Sequence, residues 1–213
     1  MLTKKSFPFQ VSLQSIIYLI SAVIVLSGCQ PQGFKTKTAT DKNGYQYEYV
    51  TNDPLGVRMY TLDNGLRVLL SYNDDEPRIA TMIGVRAGST SDPGETTGLA
   101  HYFEHMMFKG TDKIGTLDWE KEKVLLDEIS DLFEAHRSTD DPELKRVIYN
   151  KIDSVSQLAA AYVVPNEYDK LVSGMGAKQT NAGTSYDYTV YMNDIPSNEF
   201  EKWLMLESER FQH

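Results

Sequence analysis

The stretch that decides the reading is Gly88–Thr111, "GSTSDPGETTGLAHYFEHMMFKGT". Its first half is loop by composition: glycine, serine, threonine and a Pro-Gly pair. Its second half carries an apolar background with two histidines four apart, His101 and His105, and Glu104 between them. The composition predicts a helix over 99–108, with Thr96 or Thr97 capping its start. On a helix each residue turns about 100°, so residues four apart differ by about 40° and lie one turn apart. His101 and His105 therefore stand side by side and can offer ring nitrogens to one metal. Glu104 is about 300° round from His101 and is placed to act as a base on a water. A divalent zinc acidifies such a water, and a neighbouring carboxylate takes its proton and passes it to a leaving amine. Tyr102, Phe103, Met106, Met107 and Phe108 are expected to pack behind this site.

Outward from the motif, Arg78–Ala87 alternates with period two and predicts a strand, with Ile79, Thr81, Ile83, Val85 and Ala87 on one face. Met59–Tyr72 alternates around Asn64-Gly65, a strong hairpin signal. Thr180–Asp194 is rich in Tyr, Thr and Val and predicts a further strand with Tyr186, Tyr188, Val190 and Met192 on one face. Between these, 117–164 is highly charged with helical periodicity. Asp140-Asp141-Pro142 gives a stop and a restart, so this segment reads as an inserted helical hairpin. Its apolar stripes are expected at Trp119, Val124, Leu125, Ile129, Leu132 and Phe133, and at Leu144, Val147, Ile148, Ile152, Val155 and Leu158. A short helix capped by Asn166 and a last helix from Ser197 or Asn198 complete the pattern. That last helix shows an apolar stripe of Phe200, Trp203, Leu204 and Phe211, with Glu207 and Glu209 on its solvated side. The fold class is α+β: a mainly antiparallel sheet covered by helices, with the charged hairpin projecting from it.

The chain has 213 residues and a formal net charge of −9, with 41% hydrophobic residues. This acidity argues against nucleic acid as a partner, because phosphate contacts need clustered Lys and Arg. Residues 1–29 read as an export leader. Lys4 and Lys5 start it, Ile16–Leu26 is an apolar run, and "LSGC" ends it at Cys29. The ending resembles a bacterial lipobox, which implies a lipid on Cys29 and a membrane-anchored chain in the cell envelope. Gln30 after the cysteine resembles the pattern that sorts lipoproteins to the outer membrane, facing the periplasm. Cys29 is the only cysteine, so an intrachain disulfide is ruled out. Residues 30–44 read as a polar tether, and 45–213 as the folded domain.

The H-x-x-E-H order resembles the inverted zinc motif of the inverzincins, the pitrilysin and insulin-degrading-enzyme family. "LDNGLRVLL", Val85–Thr111 and Thr180–Phe211 resemble that family's hairpin, signature stretch and following strand and helix. The resemblance implies a zinc endopeptidase with one zinc per site. It implies His101 and His105 as ligands and Glu104 as general base. It further implies Asn181 and Ala182 on a strand edge that pairs with an extended peptide substrate. The family's third ligand is a glutamate on a later helix, expected beyond His213. A second homologous half or partner subunit is also expected, so residues 1–213 alone are expected to be inactive. A non-catalytic scaffold or peptide-binding lipoprotein with the same fold is the alternative.

Overall fold

The computed structural model describes residues 33–212. The leader, Cys29 and the first residues of the expected tether lie outside the described residues, as does His213. The described residues divide into two compact units, one ending at Asp75 and one starting at Glu76.

The first unit is a four-stranded antiparallel meander of β1 (Thr36–Thr40), β2 (Gln46–Val50), β3 (Arg58–Thr61) and β4 (Arg67–Leu70). The Asn64-Gly65 turn joins β3 and β4 as expected, with Gly65 at φ 85. Two expectations change here. Part of the stretch read as a tether is a strand, because its alternating threonines suit a pleated ladder and pair in register with Gln46–Val50. The hairpin also belongs to a separate sheet with β1 and β2, not to one sheet shared with the later strands.

The second unit holds a three-stranded antiparallel sheet of β5 (Arg78–Val85), β6 (Lys178–Thr184) and β7 (Thr189–Pro196), in the order β5-β7-β6. The expected strand 180–194 is therefore a hairpin, broken at Ser185–Tyr188 where the turn residues Ser, Asp and Tyr interrupt the ladder. The predicted face of β5 holds up to Ile83: Ile79, Thr81 and Ile83 are half-buried and Met82 is 71% exposed, but Val85 at the strand's end is exposed. The partners of the three half-buried residues on β7 are Ile195, Asn193 and Tyr191, all buried. On β7, Val190 and Met192 share a face as expected, the half-buried one, whereas Tyr186 and Tyr188 precede the strand; its buried face mixes Thr189 and Asn193 with Tyr191 and Ile195. Apolar content alone could not phase a strand whose inward face is half polar.

Five helices accompany this sheet. α1 (Leu99–Met106) lies on β6 and β7. α2 (Trp119–Ser138) and α3 (Pro142–Ala159) form the expected hairpin, with Asp118 and Asp141 capping their starts. Its ends return to one place: Leu117 N–H donates to Tyr162 O (2.7 Å) and Val164 N–H to Gly115 O (2.8 Å). Ile152, Val155 and Ala159 are the buried positions of α3, whereas Leu144, Val147 and Leu158 are exposed, so its stripe is narrower than expected. α4 (Glu167–Gly174) follows Asn166, which adopts a left-handed backbone (φ 55) with no side-chain cap bond. Glu167 accepts from Gly115 N–H instead and ties α4 to the base of the hairpin.

α5 (Phe200–Gln212) starts after a short 3-10 turn at Ser197–Glu199. Its buried side is Trp203, Leu206, Glu207 and Arg210. Leu204 is 51% exposed, so the apolar stripe expected on this helix is out of phase. Glu207 is not on a solvated side: it is 2% exposed and bonded to Arg210. Glu209 accepts from Thr111 and Lys113. Leu206 joins Tyr168 and Val172 in the core, against which Phe108, Ile114 and Met175 pack.

Candidate active site

The motif helix is fixed at both ends by side chains from outside it. At its start neither Thr96 nor Thr97 caps. The N-cap is Gly98, whose φ of 89 favours glycine, and it has no side chain to offer. Asp92 does the work from six residues upstream: Oδ2 accepts from Gly98 N–H (2.7 Å) and Oδ1 from Ala100 N–H (2.8 Å). A carboxylate there also opposes the positive end of the helix dipole. At the far end Arg210 Nη1 donates to Met107 O (3.0 Å), putting a cation where the dipole is negative.

The loop before the helix is laced to the β6–β7 turn. Ser89 N–H donates to Ser185 O (3.0 Å) and Thr90 N–H to Tyr186 O (2.9 Å). Gly88 is required by this close approach, since a Cβ there would sit 2.4 Å from Ser185 O. The loop and hairpin together set where α1 crosses the sheet.

On that helix, His101 Nε2 and His105 Nε2 stand 3.1 Å apart, with both rings exposed. Two nitrogens held by one tetrahedral zinc at about 2.0–2.1 Å each stand about 3.3 Å apart. The donor set and spacing therefore fit one zinc, with His101 and His105 as the nitrogen donors. Among the described residues no third His, Cys, Asp or Glu joins them in a metal-sized group. Glu207 and Glu209 are committed elsewhere, to Arg210 and Tyr168 and to Lys113 and Thr111.

Glu104 is 8% exposed and is bonded to the sheet. Its Oε2 accepts from Thr184 Oγ1 at 2.6 Å. Thr184 Oγ1 lies 3.2 Å from Thr189 Oγ1, and Thr189 donates to Ala87 O at 3.0 Å. This chain of hydroxyls was not foreseen. The signal available in sequence is the pair of threonines flanking the hairpin turn, visible as functional only once the turn is placed. The apolar residues of the motif behave differently from expectation. Tyr102, Phe103 and Met106 are 61%, 58% and 43% exposed, and Phe108 alone reaches the aromatic core, 5.5 Å from Tyr168. α1 is short and lies on one sheet face, so only one of its sides is covered.

Behind the helix, Tyr168 donates to Glu207 Oε1 (2.9 Å), and Glu207 Oε2 accepts from both Nε and Nη2 of Arg210 (3.2 and 2.7 Å). The Arg210 guanidinium lies 4.0 Å from the Tyr168 ring centroid. Burial, and then the charge of Glu207, push the Tyr168 phenol well above its ordinary value. Asn181 and Ala182 lie on β6, an edge of its sheet, and pair with Met192 and Tyr191 of β7. Their other side faces no strand among the described residues.

A model of the family "Insulinase (Peptidase family M16)" matches residues 67–127, which include the motif helix. Over those residues the chain is similar to this insulinase family. Human insulin-degrading enzyme is 35% identical over 88 residues, covering 38% of this chain and 9% of that protein. The uncharacterized zinc protease YmxG of Bacillus subtilis (strain 168) is 30% identical over 128 residues, 45% of this chain and 31% of that protein. The crystal structure of pitrilysin aligns with a TM-score of 0.47 at 17% identity, covering 84% of this chain and 13% of that one. The chain thus spans less than a third of the length of each of these proteins.

Proposed function

We propose that this chain carries part of the active site of a zinc-dependent endopeptidase. The observation that supports it most is the pair of imidazole nitrogens 3.1 Å apart with the buried, hydrogen-bonded Glu104 one residue before the second. Zinc bound there would supply Lewis acidity, acidifying a water and polarising a peptide carbonyl. The chain's own residues do the rest. His101 and His105 offer ring nitrogens from one helix face, whose direction Asp92 and Arg210 hold from either end. Glu104 takes the proton of the attacking water on Oε1 and returns it to the departing amine nitrogen. The edge of β6 at Asn181 and Ala182 offers free backbone groups to an extended peptide. A third ligand and the remaining substrate contacts belong to the rest of the full-length protein or to a partner. In this reading a lipid on Cys29 anchors the protein in a bacterial envelope, supported by the leader sequence alone.

The test uses the full-length protein, metal analysis and a quenched fluorescent peptide. Glu104→Gln keeps one zinc per chain and lowers cleavage by at least about 100-fold, the low end for loss of a general base. His101→Ala loses both zinc and cleavage. A Glu104→Gln protein that cleaves at the wild-type rate removes the base assignment. A wild-type protein that holds no zinc favours the scaffold alternative.

A further inference from the structure

The hydroxyl next to Glu104 carries an inference that rests on the reading of Glu104 as the base. Each threonine hydroxyl has one proton to give. Ala87 O can only accept, and Thr189 spends its proton there. An ionised carboxylate can also only accept, and Thr184 spends its proton on Glu104 Oε2 at 2.6 Å. The 3.2 Å contact between the two hydroxyl oxygens then holds no proton, and it fixes spacing and not direction. Thr189 therefore points away from Thr184 and leaves it a single acceptor. Among the described residues no hydrogen bond reaches Glu104 Oε1. The two oxygens of one carboxylate are thus made unequal by the protein, one tied to the sheet and one not.

We propose that Thr184 is a positioning residue that holds Glu104 Oε2 against the sheet and so presents Oε1 as the oxygen that exchanges protons with water and amine. The backbone around it is built for this. Thr184 and Thr189 face each other as the last register pair of the β6–β7 hairpin, just before its turn. Ala87 lies in the segment between β5 and the motif helix, two residues after Val85, which also pairs with Thr189. One hydroxyl pair therefore joins β6, β7 and that segment to the motif helix. A glutamate left without this tie can rotate about χ3, and its reactive oxygen is then aimed only part of the time. Loss of aim affects the chemical step more than peptide binding, which depends on the β6 edge.

The experiment compares Thr184→Val, which keeps shape and loses the hydroxyl, with Thr184→Ser, which keeps the hydroxyl. Both are made in the full-length protein, with Glu104→Gln beside them. Thr184→Val is expected to lower kcat by about 10–100-fold, with KM within about twofold and zinc content unchanged. Thr184→Ser is expected to stay within about threefold of wild type. A crystal structure of Thr184→Val is expected to show the Glu104 carboxylate rotated or in two orientations. A Glu104 carboxylate that keeps its position in Thr184→Val overturns the proposal whatever the rates are. Equal loss in the Val and Ser variants overturns it too, since that marks a packing role. If Glu104→Gln stays active while the carboxylate rotates in Thr184→Val, the positioning stands and the assignment of Glu104 as base falls.

Discussion

Arg210→Met tests whether the buried pair behind the motif helix stabilises this unit. The native guanidinium makes two bonds to Glu207 and one to Met107 O, and it is 4% exposed. Methionine has comparable length and no charge. The variant leaves Glu207, 2% exposed, with Tyr168 as its one remaining donor, and leaves a helix-terminal carbonyl unpaired. Breaking a buried pair by removing one partner costs about 3–5 kcal/mol. The lost bond from a charged donor to Met107 O adds about 1.5 kcal/mol or more, though not independently. A cost near 5 kcal/mol is a large share of the roughly 5–15 kcal/mol that stabilises an ordinary domain. The double variant Glu207→Leu with Arg210→Met removes both charges, and Tyr168 keeps its bond from Asn193 Nδ2 at 3.3 Å. It is expected to be more stable than Arg210→Met alone by about 2 kcal/mol, because no unpaired buried charge remains. Urea unfolding reports this through Trp203, buried on the same helix, in a Trp119→Phe background. A single variant costing less than about 1 kcal/mol, or a double variant as unstable as the two singles summed, refutes the reasoning.

The Tyr168 phenol predicts a loss of stability in alkali. Its folded value is raised by burial and by Glu207, so above the ordinary value of 10.0 the unfolded chain releases a proton that the folded chain keeps. Stability is then full below pH 10.0 and falls as pH rises beyond it, and Tyr168→Phe should flatten that fall in urea titrations. Asp92→Ala should loosen the start of the motif helix by about 1–2 kcal/mol, read as faster amide hydrogen exchange at Gly98 and Ala100. Gly110→Ala should destabilise strongly, because φ is +131 and the added Cβ would lie 2.1 Å from Ile114 O; a melting temperature equal to wild type would contradict this. Cys29→Ser should abolish incorporation of radiolabelled palmitate into the full-length protein, and retained label would end the lipidation reading.

Much of the motif helix was legible because helical spacing needs no tertiary information: His101 and His105 must share a face once a helix is granted. The hairpin at Asn64-Gly65 and the charged pair α2 and α3 were legible for the same local reason. What failed was phase. β7 puts Thr189 and Asn193 inward, and α5 puts Glu207 and Arg210 inward beside Trp203, so hydrophobicity alone did not mark the buried positions. Charges three apart on a helix read as a solvated pair, and only burial against Tyr168 reveals them as core. Asp92 was missed because capping rules look at the residue adjoining the helix, whereas here a glycine occupies that place and the carboxylate arrives from upstream. Thr184 was missed because its partner, Glu104, is 80 residues away in sequence.

The α2–α3 hairpin leaves and re-enters the fold at one point, where Thr116 bridges Val163 and two further backbone bonds close the neck. Such a neck makes the hairpin a cassette. Its length can change, or foreign sequence can be spliced into its tip at Thr139-Asp140, while the strain of the change stays above the closure. The strands and helix that present His101, Glu104 and His105 are insulated from it. A reporter peptide or an affinity handle belongs at that tip.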